Sequence, residues 1–145
     1  MLHTETVEPG TLSILKELLR IDELRDFSLV GGTALSLLYG HRESVDLDLF
    51  CSKAFEKNVM IDCLKKSFGD KFVMEQKPLR FGIFCFIDGI KIDLIRHPHP
   101  LIRPEQTIDG IKMFSTQDII AMKVQAILGR GKKKDFWDIA ELLQH

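Results

Sequence analysis

Residues 30–50, VGGTALSLLYGHRESVDLDLF, combine a glycine pair with two carboxylates that lie two positions apart. The glycine pair, Gly31 and Gly32, follows an apolar run and precedes a predicted helix over Ala34–Tyr39. Because glycine has no Cβ, the backbone can approach a ligand closely at this turn. The first helical turn offers unpaired N–H groups and a positive dipole end to an anion, and Thr33 can cap the helix or donate its hydroxyl. The pattern indicates a phosphate-binding turn, although a tight turn without a ligand has the same pattern.

The second feature is Asp46-Leu47-Asp48, which lies in an apolar run that is typical of a strand. Residues two apart on a strand point to the same face, so Asp46 and Asp48 share one face of the predicted sheet. Two carboxylates on one face repel each other, and a hard divalent cation bound by their oxygens is a common reason for the arrangement. The alternative is a strand with an exposed acidic face, as antiparallel sheets often have.

Together these motifs resemble a known signature. Gly31-Gly32, thirteen intervening residues and Asp46-Leu47-Asp48 are similar to the first motif of the polymerase-beta-like nucleotidyltransferase superfamily. The fuller string, Gly-Gly-Thr-Ala-Leu followed by Gly-His-Arg-x-Ser-x-Asp-Leu-Asp-Leu-Phe, resembles the branch that contains the abortive-infection AbiEii/AbiGii toxins. The resemblance implies an α+β fold, with a small mixed or antiparallel sheet flanked by helices and further helices at the C-terminal end.

The resemblance also implies an activity. Members of the superfamily move a nucleoside monophosphate from a nucleoside triphosphate (NTP) to an acceptor hydroxyl and release pyrophosphate. The first carboxylate pair holds two Mg²⁺ ions, with Mn²⁺ as a substitute metal. The acceptor can be an RNA such as tRNA, a protein or a small molecule. The toxin role, and an antitoxin protein as partner, follow from the resemblance alone.

A third carboxylate, Asp93, lies in the middle of a predicted strand, Ile90–Ile95, where aspartate is disfavoured. The turn signal Asp88-Gly89 before this strand predicts a hairpin. Alternation puts Asp93 on the face that carries Lys91. By itself this pattern fits an exposed hairpin face. The resemblance implies that Asp93 is the third catalytic acid, which joins one metal ion of the first pair and activates the attacking hydroxyl.

The loop before the carboxylate strand contains Gly40-His41-Arg42-Glu43-Ser44. A solvated loop is one interpretation. Because this segment belongs to the shared family pattern, we predict instead that it contributes to nucleotide binding. Arg42 can meet a phosphate and Ser44 can fix the loop. The sequence assigns no base or ligand role to His41.

A second similarity to the AbiEii branch lies near the end of the chain, in the pattern Lys123, Arg130, Lys134-Asp135 and Asp138. Composition alone also fits a solvated basic turn between two helices. The resemblance implies that Lys123 reaches the nucleotide phosphates and that Arg130 and Lys134 neutralise phosphate or an acceptor backbone. The two aspartates are expected to hold these cations in place.

Composition places the chain among ordinary globular proteins, with 45% hydrophobic and 28% charged residues. The net charge of −1 provides no general attraction to nucleic acids or membranes. We predict one nucleotidyltransferase domain over residues 1–145, with a catalytic core over about 11–96 and a helical part over about 112–145. Three widely spaced cysteines, a polar start without a secretory signal, and no apolar run of ~20 residues predict a cytoplasmic protein without a membrane partner.

The remaining segments predict the framework around these motifs. Helical spacing predicts helices over Thr11–Leu24, Ser52–Phe68, a segment that starts near Ser115, and Asp135–Gln144. Strands are predicted over Phe27–Val30, Lys71–Gln76 and Leu79–Ile87, and residues 101–114 are expected to connect the two halves.

Two other functions remain open at this level. A metal-dependent nuclease or phosphohydrolase would use the same acids on water and would not need an NTP. A non-catalytic domain of the same fold would bind a nucleotide or a partner without turnover, and the shortness of the chain relative to longer members of the branch favours it. The three intact acids favour an enzyme.

Overall fold

The computed structural model describes residues 2–75, 81–98, 100–130 and 138, with the backbone alone over 126–130. The described helices are α1 (Pro9–Arg20), α2 (Gly31–Tyr39), α3 (Lys57–Phe68) and α4 (Thr116–Arg130). The described strands are β1 (Ser28–Val30), β2 (Leu47–Cys51), β3 (Phe72–Met74), β4 (Gly82–Ile87), β5 (Ile90–Arg96), β6 (Gln106–Ile108) and β7 (Ile111–Met113).

These strands form one mixed sheet, in the order β3-β4-β5-β2-β1-β7-β6 within the described part of the chain. β2 and β5 run parallel, as do β1 and β7, and the other neighbouring pairs are antiparallel. The α+β class with a mixed sheet and flanking helices is therefore confirmed. The central pair β2–β5 places the two strands that contain predicted site residues side by side.

Alternation along the central strands separates a core face from a more open face. Leu47 and Leu49 of β2 and Ile92 and Leu94 of β5 are fully buried, and they pack with apolar residues of the helices. The residues between them, including Asp48, are only partly buried. Burial of one face fixes the register, since a one-residue slip would move every apolar side chain to the other face.

The hairpin predicted at Asp88-Gly89 joins β4 to β5. Asp88 has φ 53° and Gly89 has φ 79°, so both central residues are left-handed, as a two-residue hairpin turn of the primed type requires. The turn sets the register in which Phe84 lies opposite Asp93. The hairpin thus fixes the position of the third predicted acid.

Several boundaries differ from the sequence prediction. α2 begins at Gly31 rather than Ala34, so Thr33 lies inside the helix and does not cap it. Glu8, rather than Thr11, caps α1 through its carboxylate. α3 begins at Lys57 and not at Ser52. The start of α1 is two residues earlier than predicted because the Glu8 carboxylate accepts the hydrogen bond from the backbone N–H of Thr11.

Residues 101–114, predicted to be a connection, contain the two short strands β6 and β7. β7 pairs with β1 through Leu29 and Met113, and it extends the sheet beyond the predicted core. The predicted final helix over Asp135–Gln144 lies outside the described residues, apart from Asp138. No helix among the described residues is long and apolar enough to span a bilayer.

Candidate active site

Two of the three predicted catalytic acids are direct neighbours on the central strands. Asp48 of β2 and Asp93 of β5 are paired residues in the parallel register. Adjacent strands lie about 4.8 Å apart, so side chains of paired residues on the same face are in contact range. The two carboxyl groups also share a hydrogen bond. The structure thus brings together two acids that are 45 positions apart in the sequence.

The electrostatic environment of Asp93 differs from that of an ordinary surface acid. Burial, followed by the nearby Asp48 carboxylate, raises the pKa of Asp93 to about 7. Lys91 acts in the opposite direction but does not cancel these effects. Oδ1 of Asp93 is buried without a hydrogen-bond partner. The carboxyl pair therefore has an unsatisfied oxygen and an excess of negative charge.

Asp46, the remaining predicted catalytic acid, directly precedes β2. Its side chain is half-buried and lines a cleft of about 190 Å³ together with Asp48. Its backbone carbonyl accepts a hydrogen bond from the Thr33 hydroxyl. Asp46 thus shares the cleft with Asp48 and with the loop residues Arg42, Glu43 and Ser44.

Gly32 of the glycine pair lines the cleft, and each glycine of the pair has a distinct charged neighbour. Gly31 has φ +75°, and a Cβ built there would lie 2.6 Å from Oδ2 of Asp48. A Cβ on Gly32 would lie 2.0 Å from Nη2 of Arg42. Each missing side chain therefore leaves room for a charged group, a carboxylate at the first glycine and a guanidinium at the second.

Thr33 and Ser44 hold the loop against helix α2. The two hydroxyl oxygens lie 2.5 Å apart, and both side chains are buried. The backbone N–H of Ser44 also donates to the carbonyl of Thr6. The predicted loop-fixing role of Ser44 agrees with this geometry. Both residues line the cleft, so they remain candidates for nucleotide binding.

Two of the predicted cations, Arg42 and Lys123, contact one buried carboxylate. Asp138 is 0% exposed, and it accepts hydrogen bonds from Nε and Nη2 of Arg42 at 3.0 and 3.3 Å. Nζ of Lys123 lies 3.0 Å from Oδ2 of Asp138, and Nε2 of His41 contacts Oδ1. Arg42 lines the cleft, whereas Lys123 is only 5% exposed. The Arg130 side chain and Lys134 lie outside the described residues.

The sequence pattern predicts that Asp138 holds cations, but it does not place Asp138 or His41 in the site. His41 lies next to Arg42 in the shared Gly-His-Arg pattern, and this adjacency was the available signal. The pairing of His41 with Asp138 bridges 97 positions, which no local pattern reveals.

The carboxylate pair is a candidate binding site for a divalent cation. Within the described residues, no group of three or more His, Cys, Asp or Glu side chains is arranged to hold a metal ion. Mg²⁺ usually keeps several waters and is bound by one or two carboxylates together with substrate phosphates. Asp48 and Asp93 fit that pattern. A cation between them would also offset their mutual repulsion and engage the unpartnered oxygen of Asp93.

The raised pKa of Asp93 predicts an unusual pH dependence of stability in metal-free protein. The folded state binds this proton more tightly than the unfolded state, whose pKa is near 4, so the free energy of unfolding falls as pH rises from about 4 to about 7. Asp93→Asn is expected to raise the free energy of unfolding at pH 8 by about 1–2 kcal/mol, after allowance for solvent screening. Urea unfolding in chelator at pH 5 and pH 8 measures the effect.

The control for this experiment is Asp62→Asn, which removes a carboxylate from the exposed face of α3. The pKa values of Asp118 and Asp138 are lowered, so these two carboxylates change the free energy of unfolding mainly below pH 4. They do not affect the comparison between pH 5 and pH 8. If Asp93→Asn and Asp62→Asn change stability equally at pH 8, the close carboxylate contact is wrong.

Comparison with solved structures supports the fold. The structure of a proposed nucleotidyltransferase from Helicobacter pylori superimposes with a TM-score of 0.62 and 22% identity, over 95% of this chain and 70% of that one. A proposed nucleotidyltransferase from Thermotoga maritima gives a TM-score of 0.56 and 17% identity, over 95% of both chains. At such identities the likeness establishes a nucleotidyltransferase fold.

Sequence comparison supports the family. An uncharacterized protein of Aquifex aeolicus is 34% identical over 134 residues, which make up 90% of this chain and 64% of that protein. The chain thus spans just under two thirds of the length of this relative. The model of the nucleotidyl transferase AbiEii toxin family matches residues 13–78 and 84–145, which is most of the chain. The protein therefore belongs to the AbiEii nucleotidyl transferase toxin family, a family of type IV toxin–antitoxin systems.

Proposed function

We propose that this protein transfers a nucleoside monophosphate from an NTP to an acceptor hydroxyl and releases pyrophosphate. The observation that supports the proposal best is the pairing of Asp48 and Asp93 directly beside the glycine turn that opens α2. Phosphate and Mg²⁺ are the two components that an NTP brings to a site, and this cleft offers a partner for each. Family membership supports the same reaction class.

The glycine turn and α2 would bind the triphosphate. Backbone N–H groups of Gly31 and Gly32 begin a helix of nine residues, whose N-terminal dipole end favours anions. The Arg42 guanidinium lies against Gly32 and adds positive charge to the same wall of the cleft. These groups orient the α-phosphorus toward the carboxylate pair.

Asp48 and Asp93, with Asp46 beside them, would hold Mg²⁺. When bound, Mg²⁺ neutralises phosphate charge and stabilises the attacking and leaving oxygens. The oxygen of the acceptor hydroxyl forms a bond to the α-phosphorus, and Asp93 accepts the proton that this hydroxyl loses. The bond between the α-phosphorus and the bridging oxygen breaks, and pyrophosphate leaves with that oxygen. Positioning and charge stabilisation supply most of the rate in such transfers.

The identity of the acceptor and the toxin role are part of the proposal. A tRNA end, a protein hydroxyl and a small molecule are the acceptor classes that we consider, and a cognate antitoxin is the proposed partner. A reducing cytoplasm suits the three free cysteines.

Label transfer tests the proposal. Wild-type protein, Mg²⁺ and cell lysate are incubated with each of the four NTPs, labelled at the α-phosphate in one series and the γ-phosphate in another. We expect label from the α-phosphate, and none from the γ-phosphate, to appear on one class of acceptor. If no acceptor is labelled in either series and nucleic acid in the lysate is cleaved, the protein is a nuclease instead. Tight Mg²⁺-dependent NTP binding without transfer to any lysate component would indicate a non-catalytic binding domain.

A further inference from the structure

Asp138 is a buried carboxylate that belongs to none of the catalytic steps above, yet it contacts three basic side chains. Its side chain has no exposed surface, and its partners are His41, Arg42 and Lys123. Burial opposes ionisation of Asp138, but hydrogen bonds from Arg42, His41 and Lys123 outweigh it and hold the pKa of Asp138 below its usual value. Asp138 therefore remains an anion at neutral pH.

The contact with Arg42 is a side-on fork. Nε and Nη2 of Arg42 donate to the two different oxygens of Asp138, and Nη1 donates to the Glu43 carbonyl. A two-point contact fixes the plane of a guanidinium as well as its position. Three of the five N–H donors of arginine are used in this way, and the other two are on the terminal nitrogens.

The fixed guanidinium lies where the glycine turn leaves space. Nη2 of Arg42 occupies the position that a Cβ of residue 32 would need, since the built Cβ lies 2.0 Å from it. Both Arg42 and Gly32 line the cleft that contains Asp48. The remaining donors of Arg42 are thus held beside the backbone that is proposed to receive phosphate.

Lys123 and His41 have a different position. The Lys123 side chain is 5% exposed and the His41 side chain 6% exposed, so both are enclosed around Asp138 and neither lines the cleft. Arg42 and Lys123 carry two positive charges against the one negative charge of Asp138. Among the described residues, this cluster therefore has an excess of positive charge.

We propose that Asp138 is a positioning residue of the nucleotide site, which holds the Arg42 guanidinium against Gly32 so that its outer N–H groups bind the triphosphate. Lys123 and His41 hold Asp138 in place in this arrangement, and Lys123 acts through Asp138 rather than by contact with phosphate. The inference deepens the proposed nucleotidyl transfer and rests on it.

The test uses Asp138→Asn, which keeps the size of the side chain and removes its charge. Mg²⁺-tripolyphosphate serves as the probe, and its binding to the full chain is measured by calorimetry. We expect Asp138→Asn to weaken this binding about tenfold, through loss of the ordered guanidinium. In transfer assays the same variant should raise KM for NTP more than it lowers kcat.

A double-mutant cycle shows whether Asp138 acts through Arg42. Arg42→Lys keeps the charge but cannot make the fork, so it should weaken binding about as much as Asp138→Asn. The double variant should lose little beyond either single variant. Additive losses would overturn the inference.

Asp118→Asn is the matched control, because Asp118 is another buried carboxylate, bonded to Ser115 and to backbone N–H groups away from the cleft. It should lower stability and leave tripolyphosphate affinity unchanged. If Asp118→Asn and Asp138→Asn weaken tripolyphosphate binding equally, Asp138 has only a structural role.

An NMR measurement separates this inference from the proposed function. The Nε–H resonance of Arg42 should exchange slowly with solvent in the wild type, and it should shift and exchange faster in Asp138→Asn. An unchanged resonance overturns the positioning role, whether or not the wild type transfers nucleotide. If the resonance changes as expected in Asp138→Asn but the wild type transfers no nucleotide, the proposed function is rejected and the Asp138–Arg42 link is retained.

Discussion

Asp48→Asn is expected to reduce nucleotidyl transfer by about 10³-fold or more and to leave the fold intact. The substitution keeps the shape of the side chain but removes a carboxylate that lies next to Asp93 and against the glycine turn. Loss of one of the three proposed anionic ligands removes much of the electrostatic attraction of the site for Mg²⁺. Initial transfer rates at saturating NTP, with circular dichroism as the fold check, measure the effect.

Stability distinguishes this loss of activity from misfolding. Removal of one of two repelling carboxylates should leave metal-free protein as stable as the wild type or more so. Asp62→Asn, on the exposed face of α3, should retain full transfer. Full activity in Asp48→Asn would contradict the metal assignment, and unfolding of this variant would show that the Asp48 carboxylate has a structural role.

The second large effect is expected from Gly31→Ala. Gly31 has φ +75°, a conformation that costs alanine about 1 kcal/mol, and its new Cβ would lie 2.6 Å from Oδ2 of Asp48. The backbone here cannot move without disturbing β1 and α2, so the Asp48 carboxylate must shift. A displacement of about 1 Å in a reacting group can cost about a hundredfold in rate. We therefore expect transfer to fall about a hundredfold with a modest loss of stability.

Gly110→Ala is the matched control for backbone strain. Gly110 has φ +79° in the turn between β6 and β7, and no heavy atom lies within 4 Å of its built Cβ. It should lose a similar free energy of unfolding and retain transfer. If both alanine variants lose activity equally, strain alone explains the result and the close approach of Asp48 to Gly31 has no functional meaning.

The parts of the fold that could be predicted from the sequence have strong local signals. Strict alternation around Leu47 and Leu49 indicated a strand with one buried face, and Asp88-Gly89 indicated the β4–β5 hairpin. The strands β6 and β7 have three residues each, too few for a period to be visible. Their pairing depends on the parallel contact of β7 with β1, which is a tertiary feature.

The site shows the same division between local and long-range information. The glycine turn and the Asp46–Asp48 pair are contiguous motifs, and the family resemblance supplied the third acid. The direct pairing of Asp48 with Asp93 depends on strand order, which the sequence alone does not specify. The contact between Arg42 and Asp138 joins residues 96 positions apart, which a local charge pattern does not reveal.

The most direct test of the shared carboxylate site is a Mn²⁺ titration followed by electron paramagnetic resonance, with the wild type compared with Asp48→Asn and Asp93→Asn. Mn²⁺ replaces Mg²⁺ at oxygen sites, and its binding can be measured without turnover. We predict saturable binding in the wild type in the presence of tripolyphosphate, and loss of that binding in both variants. Binding that is unchanged in either variant would show that Asp48 and Asp93 do not share a metal ion.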